Sequence, residues 1–305
     1  MLKIGIAALD TSHPGRWVPI LQEWDSVAVV ACWDGGSVRP PGYAKQFAAE
    51  HNIPEVVPVL TDLIPLVDVV FVQGCNWDLH VERVKPFVEA GKGVYIDKPL
   101  AGNVADLQQL KAWAAQGADI IGGSSLRCCE EVKRIHAQTQ GSDLHTIFAS
   151  GPNDFFNYGI HVIEMVQGVI GRERSSPAVA VTHLGSHGSE RLLVDYASGL
   201  QVVLELQAAG GFFLSISAAS GHWSATVESS FYRALLQDVV AHFQGKRPFP
   251  ADIDLMCEAV MVLLAGRESM SRGRLTRVRI DELPADAPGF DGHSFTEEYR
   301  ASGQL

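Results

Sequence analysis

The sequence lacks the features that mark membrane proteins, secreted proteins and disulfide-rich proteins. None of its apolar runs reaches the roughly 18 residues of a membrane span, and the N-terminus turns polar at Asp10 without the basic start of a secretory signal. The five cysteines are odd in number and include no Cys-x-x-Cys pair, so neither a disulfide framework nor a zinc knuckle is predicted. These absences predict a cytoplasmic protein with reduced and mostly buried thiols.

Positive charge is also scarce. The 305 residues include 24 Lys and Arg against 35 Asp and Glu, which gives a formal net charge of -11. An acidic chain without a block of basic residues repels phosphate backbones and anionic lipids, so we expect no nucleic acid and no membrane as a partner. The length and the 47% of hydrophobic residues suit a globular protein of two domains.

The first third of the chain alternates strand and helix patterns. Near-continuous apolar runs are typical of parallel strands buried on both faces, and they predict strands at residues 2–8, 27–33, 67–72, 94–96 and 120–122. Helical patterns fill the intervals at residues 14–24, 43–51, 77–90 and 104–115. Strands that alternate with helices form right-handed βαβ units, so residues 1–126 are predicted to form a Rossmann-like, doubly wound parallel sheet of the α/β class.

The pattern of apolar and polar residues changes after about residue 140. Apolar and more polar residues alternate over residues 200–206, which is typical of an antiparallel strand with one wetter face. Related patterns predict strands at residues 145–150, 178–184, 191–196, 212–218, 223–227 and 278–280, and helices at Phe231–Phe243 and Ile253–Ser271. Residues 127–305 are therefore predicted to form an α+β domain with an open, mainly antiparallel sheet. We expect His183 at its surface and a loosely structured tail from Asp281.

The first βα turn is the expected ligand-binding edge of a parallel sheet. A dinucleotide fingerprint needs glycines where Ala8, Asp10 and His13 stand, and none is present. The polar residues before Pro14 nevertheless predict a helix N-terminus, whose free N–H groups attract anions. Two interpretations stay open, a pyrophosphate site without its glycines and a capped helix start. The candidate cofactor-binding residues of this loop are Asp10, Thr11, Ser12 and His13.

Asp34 ends the second predicted strand, 24 residues after Asp10. This is near the spacing of roughly 20 residues at which an acid accepts hydrogen bonds from the adenosine ribose. A carboxylate there repels a 2′-phosphate, which favours NAD over NADP, although Arg39 nearby could offset part of that repulsion. The alternative is an aspartate that begins a Gly35-Gly36 turn.

Four segments carry a more specific signal. They are Asn-Trp-Asp-Leu-His at residues 76–80, Ala-Gly-Lys at 90–92, Asp-Lys-Pro at 97–99 and Asn-Tyr-Gly-Ile-His-Val-Ile-Glu at 157–164. In this order they resemble the motifs of the Gfo/Idh/MocA family of nicotinamide-dependent oxidoreductases, and the similarity covers nearly the whole chain. Asp97 stands where that family usually has Glu.

The resemblance implies a role for each matching residue. Lys98 matches the family's catalytic lysine and His161 its catalytic histidine. Oxidation of an alcohol removes the hydroxyl proton as hydride leaves for the nicotinamide, which suits a histidine base and an ammonium that stabilises the oxygen. The resemblance also implies substrate contacts by Asn157 and Glu164, and cofactor contacts by Asn76, His80 and Lys98. Asn157 stands where the family often has an acid, and an amide cannot take a proton.

The leading functional hypothesis is an NAD(P)-dependent oxidoreductase that acts on a hydroxyl group of a sugar, polyol or related small molecule. One alternative is a catalytically inactive binding or regulatory protein of the same fold. Another is an enzyme that uses tightly held NAD for elimination or glycoside cleavage without net redox change. His161 and Glu164 share a helix face, but no third ligand is evident, so no metal is predicted. Apolar residues on both faces of strands 200–207 and 212–218 predict a homodimer or homotetramer.

Overall fold

The computed structural model describes residues 1–174 and 176–302. Its N-terminal part contains a six-stranded sheet in which every neighbouring pair is parallel, in the order β3-β2-β1-β4-β5-β6. The strands are β1 (Leu2–Ala7), β2 (Val27–Trp33), β3 (Glu55–Val56), β4 (Val69–Val72), β5 (Gly93–Asp97) and β6 (Ile120–Gly123). The helices are α1 (His13–Gln22), α2 (Tyr43–Glu50), α3 (His80–Glu89) and α4 (Val104–Ala115). This order confirms the predicted Rossmann-like, doubly wound sheet.

The bounds of the predicted elements shift where local geometry intervenes. The third helix begins at His80 because Trp77–Leu79 form a single 3-10 turn, in which the Asn76 side chain accepts a hydrogen bond from the amide of Asp78. The third strand was not predicted, since Glu55–Val56 is only two residues long and has no apolar run.

The C-terminal part contains a mixed sheet of seven strands in the order β12-β11-β7-β10-β9-β8-β13. The strands are β7 (Leu144–Ser150), β8 (Ala178–Ser186), β9 (Glu190–Tyr196), β10 (Gln201–Leu206), β11 (Phe213–Ala218), β12 (Gly221–Thr226) and β13 (Arg277–Arg279). The pair β7 and β10 is parallel and the other pairs are antiparallel, which confirms the predicted fold class. The helices are α5 (Glu130–Gln138), α6 (Gly159–Ile170), α7 (Phe231–Phe243), α8 (Ile253–Ser271) and α9 (Gly292–Ala301).

Helices of the C-terminal part connect the two sheets. Helices α6 and α8 pack on one face of the mixed sheet and on each other, and α8 also contacts α4 and β6. The amide of Gly122 in β6 lies 3.1 Å from the sulfur of Met256 in α8. Helix α7 packs against α1. The carboxyl edge of the parallel sheet therefore faces the second domain, where a ligand cleft is expected.

The prediction of a loosely structured tail from Asp281 agrees with residues 283–291, which form no helix or strand, but was wrong for Gly292–Ala301, which form a helix. Helix α9 is capped by Asp291, whose side chain accepts a hydrogen bond from the Ser294 amide at 2.8 Å. The helix is docked through aromatic contacts, since the Phe290 ring stacks on Phe156 at 4.0 Å and the Phe295 ring lies 4.8 Å from Trp77. Burial of these rings orders a segment whose Pro and Gly content alone favours a loop.

Two further expectations concern buried side chains. All five cysteines are free and buried, as predicted. His183 was expected at the surface, and this was wrong: the residue is fully buried, and its Nε2 lies 2.7 Å from a carboxylate oxygen of Glu190, which compensates for the burial of its polar ring. No helix within residues 1–174 and 176–302 combines the length and the apolar character needed to cross a membrane.

Candidate active site

A cavity of about 500 Å³ lies between the two domains at the carboxyl edge of the parallel sheet. The β1–α1 loop and the end of β5 line it from one side, the loop before α6 from the other, and α9 covers it. Its lining residues are Thr11, Ser12, His13, Cys75, Asp97, Lys98, Asn153, Asp154, Asn157, Tyr158, Phe295, Glu298, Tyr299 and Ser302. Most of these side chains form hydrogen bonds, so the cavity suits a polar ligand.

The β1–α1 loop makes its tight turn without glycine. Ala8 stands at the position of the first fingerprint glycine and adopts a φ of 73°, which is uncommon for a residue with a Cβ atom. The Thr11 hydroxyl accepts a hydrogen bond from the amide of His13 at 3.2 Å, whereas the Ser12 side chain makes no capping hydrogen bond. Thr11, Ser12 and His13 all line the cavity. The backbone at this helix start therefore faces the space where a ligand can bind.

The Asp10 carboxylate is held away from this space. It is fully buried and accepts a hydrogen bond from the amide of Cys75 at 3.1 Å, while the Arg83 guanidinium lies 3.9 Å from the same oxygen. Burial raises the pKa of Asp10, and the positive charge of Arg83 opposes that rise. Arg83 also lies over the Trp33 ring at 5.4 Å. Because Asp10 is turned toward the loop after β4, its carboxylate does not occupy the start of α1.

Asp34 lies beside this ion pair and not in the lining of the cavity. It is half-buried, and its Oδ1 atom is buried without a hydrogen-bond partner among the described residues. Burial raises the pKa of Asp34, and a backbone hydrogen bond from Gly36 and the charge of Arg39 oppose that rise. Arg39 donates hydrogen bonds to the carbonyl oxygens of Leu9 and Thr11 at 3.0 and 3.3 Å. The free carboxylate oxygen of Asp34 can therefore accept a hydrogen bond from a ligand hydroxyl.

Lys98 and Asn157 meet in the cavity from opposite domains. The Lys98 ammonium donates hydrogen bonds to the side-chain and backbone oxygens of Asn157 at 2.7 and 3.1 Å, which leaves one of its three N–H groups for a ligand. Asp154 fixes the loop, because its Oδ1 accepts hydrogen bonds from the amides of Phe156 and Asn157 at 3.0 and 2.5 Å. Burial lowers the pKa of Lys98, and the carboxylates of Asp97 and Asp154 oppose that fall.

His161 and Glu164 lie on α6 and are not among the residues that line the cavity. The Nδ1 atom of His161 is 2.6 Å from the hydroxyl oxygen of Ser124. Burial, followed by the positive charges of Lys98 and His13, holds the pKa of His161 well below its usual value, so its ring is neutral. Glu164 is fully buried, accepts a hydrogen bond from the Ser124 amide at 2.8 Å and forms an ion pair with Arg127 at 3.0 Å. In this structure Glu164 holds α6 against the end of β6.

Asn76 and His80 stabilise the loop after β4. The Asn76 side-chain amide nitrogen lies 3.0 Å from Nδ1 of His293 in α9. His80 is fully buried, and its ring nitrogens lie 3.2 and 2.9 Å from the carbonyl oxygens of Leu100 and Gly74. Neither residue lines the cavity. Their contacts connect this loop to the segment after Lys98 and to α9.

A histidine and aspartate pair in the cavity was not predicted from the sequence as a unit. The Nδ1 atom of His13 lies 2.5 Å from Oδ2 of Asp97, and the other oxygen of Asp97 accepts a hydrogen bond from the Lys98 amide at 2.8 Å. The residues are 84 positions apart. The sheet topology was the available signal. His13 follows β1 and Asp97 ends β5, and the carboxyl ends of strands in one parallel sheet lie at the same edge.

Helix α9 adds residues that were not predicted from the sequence. Phe295, Glu298 and Tyr299 line the cavity on its outer side. The hydroxyl of Thr296 lies 3.5 Å from the sulfur of Cys75, which fixes the helix over the loop after β4. The described part of the chain contains no group of three or more His, Cys, Asp and Glu side chains that could hold a metal ion.

The residues at this edge fit a dinucleotide. The turn at Ala8 has the left-handed conformation that the fingerprint glycine normally supplies, the start of α1 faces the cavity, and Asp34 keeps a buried carboxylate oxygen without a partner. Pyrophosphate at Thr11 to His13 and the adenosine ribose at Asp34 would satisfy these groups.

Comparison with curated proteins finds partial matches. The trans-1,2-dihydrobenzene-1,2-diol dehydrogenase of Xenopus tropicalis is 26% identical over 186 residues, which cover 53% of this chain and 56% of that protein. The enzyme of the same name from Oryctolagus cuniculus is 25% identical over 234 residues, which cover 67% and 66%. The matches thus span less than two thirds of these relatives' own length.

Solved structures share the fold over nearly the whole chain. The myo-inositol dehydrogenase of Lactobacillus casei in complex with NAD(H) and myo-inositol superposes with a TM-score of 0.76 at 14% identity, covering 92% of this chain and 96% of that one. A probable dehydrogenase of Thermotoga maritima gives 0.78 at 16% identity, covering 92% and 100%. At this identity the likeness establishes the fold.

A family model assigns the N-terminal domain. Residues 4–122 match the model of the Gfo/Idh/MocA oxidoreductase family with an NAD-binding Rossmann fold. This range runs from β1 to β6 and contains the β1–α1 loop, Asp34 and the Asp97-Lys98 pair. The predicted resemblance is therefore confirmed over residues 4–122, which are similar to the NAD-binding Rossmann fold of that oxidoreductase family.

Proposed function

We propose that this protein is a nicotinamide-dependent dehydrogenase that oxidises a secondary hydroxyl group of a small, uncharged polyol or related compound. The observation that carries the proposal is the position of the Lys98 ammonium. Asn157 accepts hydrogen bonds from it, and one of its N–H groups is left for a ligand. The ammonium lines a cavity at the carboxyl edge of a sheet that matches an NAD-binding Rossmann fold. In this position the ammonium can orient a hydroxyl group and stabilise negative charge that develops on its oxygen.

The cofactor would be held by the start of α1 at residues 11–13 and by Asp34. Bound NAD supplies the carbon that accepts the hydride. The chain's own residues position the hydroxyl group, exclude water beneath α9 and accept the hydroxyl proton. The resemblance assigns the last role to His161, and in this assignment His161 and Lys98 act on the same oxygen.

The chemistry of the lining supports an uncharged, hydroxyl-rich substrate. Among the described residues that line the cavity, Lys98 is the one lysine, and none is an arginine that could bind a carboxylate or phosphate. Asn153, Asn157 and Ser302 provide neutral donors and acceptors. Inositols and trans-1,2-dihydrobenzene-1,2-diol, which name the similar proteins, are both ring compounds with neighbouring hydroxyl groups.

Asp34 favours NAD over NADP. Its unpartnered oxygen suits a ribose hydroxyl, whereas a 2′-phosphate would meet the carboxylate charge. Arg39 already donates hydrogen bonds to two carbonyl oxygens of the β1–α1 loop, so fewer of its N–H groups remain to bind a phosphate.

The test has two parts. The purified protein is titrated with NADH and NADPH by fluorescence and calorimetry, and then incubated with NAD and myo-inositol, scyllo-inositol, glucose and trans-1,2-dihydrobenzene-1,2-diol while NADH absorbance is followed. We expect NADH to bind more tightly than NADPH and at least one polyol to be oxidised. Binding without oxidation would favour the inactive binding protein. A product formed without net NADH would favour elimination or glycoside cleavage.

We also propose a homodimer or homotetramer formed through the open face of the mixed sheet. Helices α6 and α8 cover one face, while Phe148, Leu193 and Val203 lie side by side, half-buried, on the other. Val203→Glu places a charge among these apolar side chains and should give a monomer by light scattering. Gln116→Glu, at an exposed position that follows α4 in the other sheet's part of the chain, should leave the assembly intact.

A further inference from the structure

The ring of His161 is held at one of its two nitrogens. Its Nδ1 atom lies 2.6 Å from the hydroxyl oxygen of Ser124, the residue that follows β6. Its Nε2 atom has no hydrogen-bond partner among the described residues. His161 keeps 9% of its surface exposed, and its ring meets the ring of Tyr158, which lines the cavity, at 5.6 Å. Nε2 is therefore the nitrogen that is left to exchange a proton with a hydroxyl group.

The other polar side chains on this side of α6 are bound elsewhere. The side-chain oxygen of Asn157 accepts a hydrogen bond from the Lys98 ammonium at 2.7 Å. Glu164 accepts a hydrogen bond from the backbone amide of Ser124 at 2.8 Å. Among the described residues, neither Asn157 nor Glu164 forms a hydrogen bond with the His161 ring. The orientation of this ring therefore depends on the Ser124 hydroxyl.

Ser124 is itself fixed by its surroundings. It is buried, and its hydroxyl oxygen accepts a hydrogen bond from the Leu126 amide at 3.0 Å, which caps the 3-10 turn at Ser125–Cys128. Gly123 lets the Glu164 carboxylate approach the Ser124 amide, since a Cβ atom at Gly123 would lie 2.4 Å from that carboxylate. These contacts hold the Ser124 oxygen at a set position relative to α6.

A hydroxyl group suits a histidine that changes its protonation state. It offers one donor and two acceptor positions. The Ser124 hydroxyl can donate to Nδ1 while the neutral ring carries its proton on Nε2, and it can accept Nδ1–H once Nε2 is free or both nitrogens are protonated. An ionised carboxylate can only accept, so it would favour one of these states. The contact with Ser124 can thus persist while Nε2 gains or loses a proton.

We propose that Ser124 is a positioning residue for the dehydrogenase reaction, because its hydroxyl binds Nδ1 of His161 and directs Nε2 toward the substrate. This inference rests on the proposed function. In the oxidation direction, the substrate O–H bond breaks and its proton bonds to Nε2. The adjacent carbon loses its hydrogen as hydride to the bound NAD, and the C–O single bond becomes a carbonyl group. Nδ1–H is donated to Ser124 during this step, so the serine neither gains nor loses a proton.

Steady-state kinetics on whichever polyol the wild type oxidises separate positioning from binding. Ser124→Ala should lower kcat by about ten- to a hundredfold, because the base loses its orientation. KM and the affinity for NADH should stay within about threefold of the wild type, since no contact to either ligand is removed. The control is Ser125→Ala at the neighbouring buried serine, which should behave as the wild type.

A double-mutant cycle tests whether Ser124 acts through His161. His161→Ala alone should lower kcat by about a hundred- to ten-thousand-fold, because the base is lost. Adding Ser124→Ala to His161→Ala should then change kcat by less than about twofold, since there is no ring left to orient. A serine that only supports the fold would lower kcat by the same factor in both backgrounds.

Nuclear magnetic resonance tests the contact without cofactor or substrate. In protein whose histidine ring nitrogens carry an isotope label, their chemical shifts report the protonation and hydrogen bonding of each nitrogen. The His161 signals are identified by their loss in His161→Ala. Ser124→Ala should shift the Nδ1 signal of His161, whereas Ser125→Ala should leave it in place.

The outcomes distinguish this inference from the proposed function. If the wild type binds no NADH or oxidises no polyol, the proposed function fails, and the role of Ser124 in the reaction fails with it. If the wild type is active, a kcat of Ser124→Ala within about threefold of the wild type overturns only the inference. An unchanged Nδ1 signal in Ser124→Ala, or equal losses of kcat in the two backgrounds, would overturn it as well.

Discussion

The proposed cofactor site has two ends, a proposed catalytic end at Lys98 and a proposed adenosine end at Asp34, and their charged side chains are arranged differently. At the catalytic end, Lys98, His13 and Asn157 converge on a cavity and keep donor or acceptor positions free for a ligand. At the adenosine end, Asp10 and Arg83 neutralise each other in the protein interior, and Arg39 is bonded to backbone carbonyl oxygens. The comparison indicates that several polar side chains face the cavity at the proposed catalytic end, whereas at the adenosine end most charged side chains are paired within the protein and Asp34 keeps one oxygen without a partner among the described residues.

The difference has a physical origin in the missing glycines. A glycine-rich turn brings free backbone amides close to a pyrophosphate, whereas Asp10 occupies the second glycine position with a charged side chain. That charge would repel a phosphate if it were unpaired. Arg83 and the Cys75 amide bind it instead, so an ion pair compensates for the absence of a glycine.

The largest expected effect comes from breaking this ion pair. Arg83→Met leaves the Asp10 carboxylate buried without its counter-charge, which should lower the free energy of unfolding by about 3 to 5 kcal/mol. The measurement is urea unfolding followed by circular dichroism. Adding Asp10→Asn to Arg83→Met should recover part of the loss, and equal stabilities of the single and double variants would contradict a charge-pair role.

At the catalytic end, Lys98→Met should lower kcat by about a hundred- to a thousand-fold, because a positioned donor to the developing oxyanion is removed. Its stability should fall by only about 1 to 3 kcal/mol, since methionine fills a similar volume but leaves the two Asn157 oxygens without their donor. Lys92→Met is the matched control, because Lys92 donates to the Val67 carbonyl far from the cavity. An active Lys98→Met enzyme would exclude the proposed role of the ammonium.

The adenosine end predicts a smaller effect on binding. Asp34→Ala should weaken the binding of NADH by about 1 to 3 kcal/mol if the unpartnered Asp34 oxygen accepts a charge-assisted hydrogen bond from the ribose. NADPH affinity should stay the same or rise, since the repulsion of a 2′-phosphate is removed. Calorimetric titration checks both values, with exposed Asp25→Ala as the control. Unchanged NADH affinity would show that the ribose binds elsewhere.

Much of the fold could be predicted because its signals are local. Apolar runs and helical periodicity give β2, α4, α7 and α8 with the bounds that the structure shows. Helix α9 could not be predicted in this way, because its order comes from Phe290 and Phe295, which pack on Phe156 and Trp77, more than one hundred positions earlier in the chain. The local amino-acid composition does not indicate contacts between such distant positions.

The candidate site was predictable only where a short motif carries it. Lys98 and Asn157 were found through their segments, and the structure brings them together. The pairing of His13 with Asp97 depends on the order of β1, β4 and β5 in the sheet, so it emerges only once the topology is known. Asp10 was predicted to bind the cofactor because of its position in the β1–α1 loop. Its ion-pair partner Arg83 belongs to no recognisable sequence motif.

The smallest expected effect is a pH shift at the catalytic end. Burial lowers the pKa of Lys98, and the charges of Asp97 and Asp154 oppose that fall. Asp154→Asn removes one of these charges but keeps an oxygen that can accept the amide hydrogen bonds of Phe156 and Asn157. The pKa of Lys98 should therefore fall further, and the ammonium should lose its proton at a lower pH.

The measurement is the pH profile of kcat/KM. Because the protonated form stabilises the oxyanion, the alkaline limb of this profile should move to lower pH. The control is exposed Asp62→Asn, which should leave the limb in place. A limb that stays fixed in Asp154→Asn would show that Lys98 does not control it.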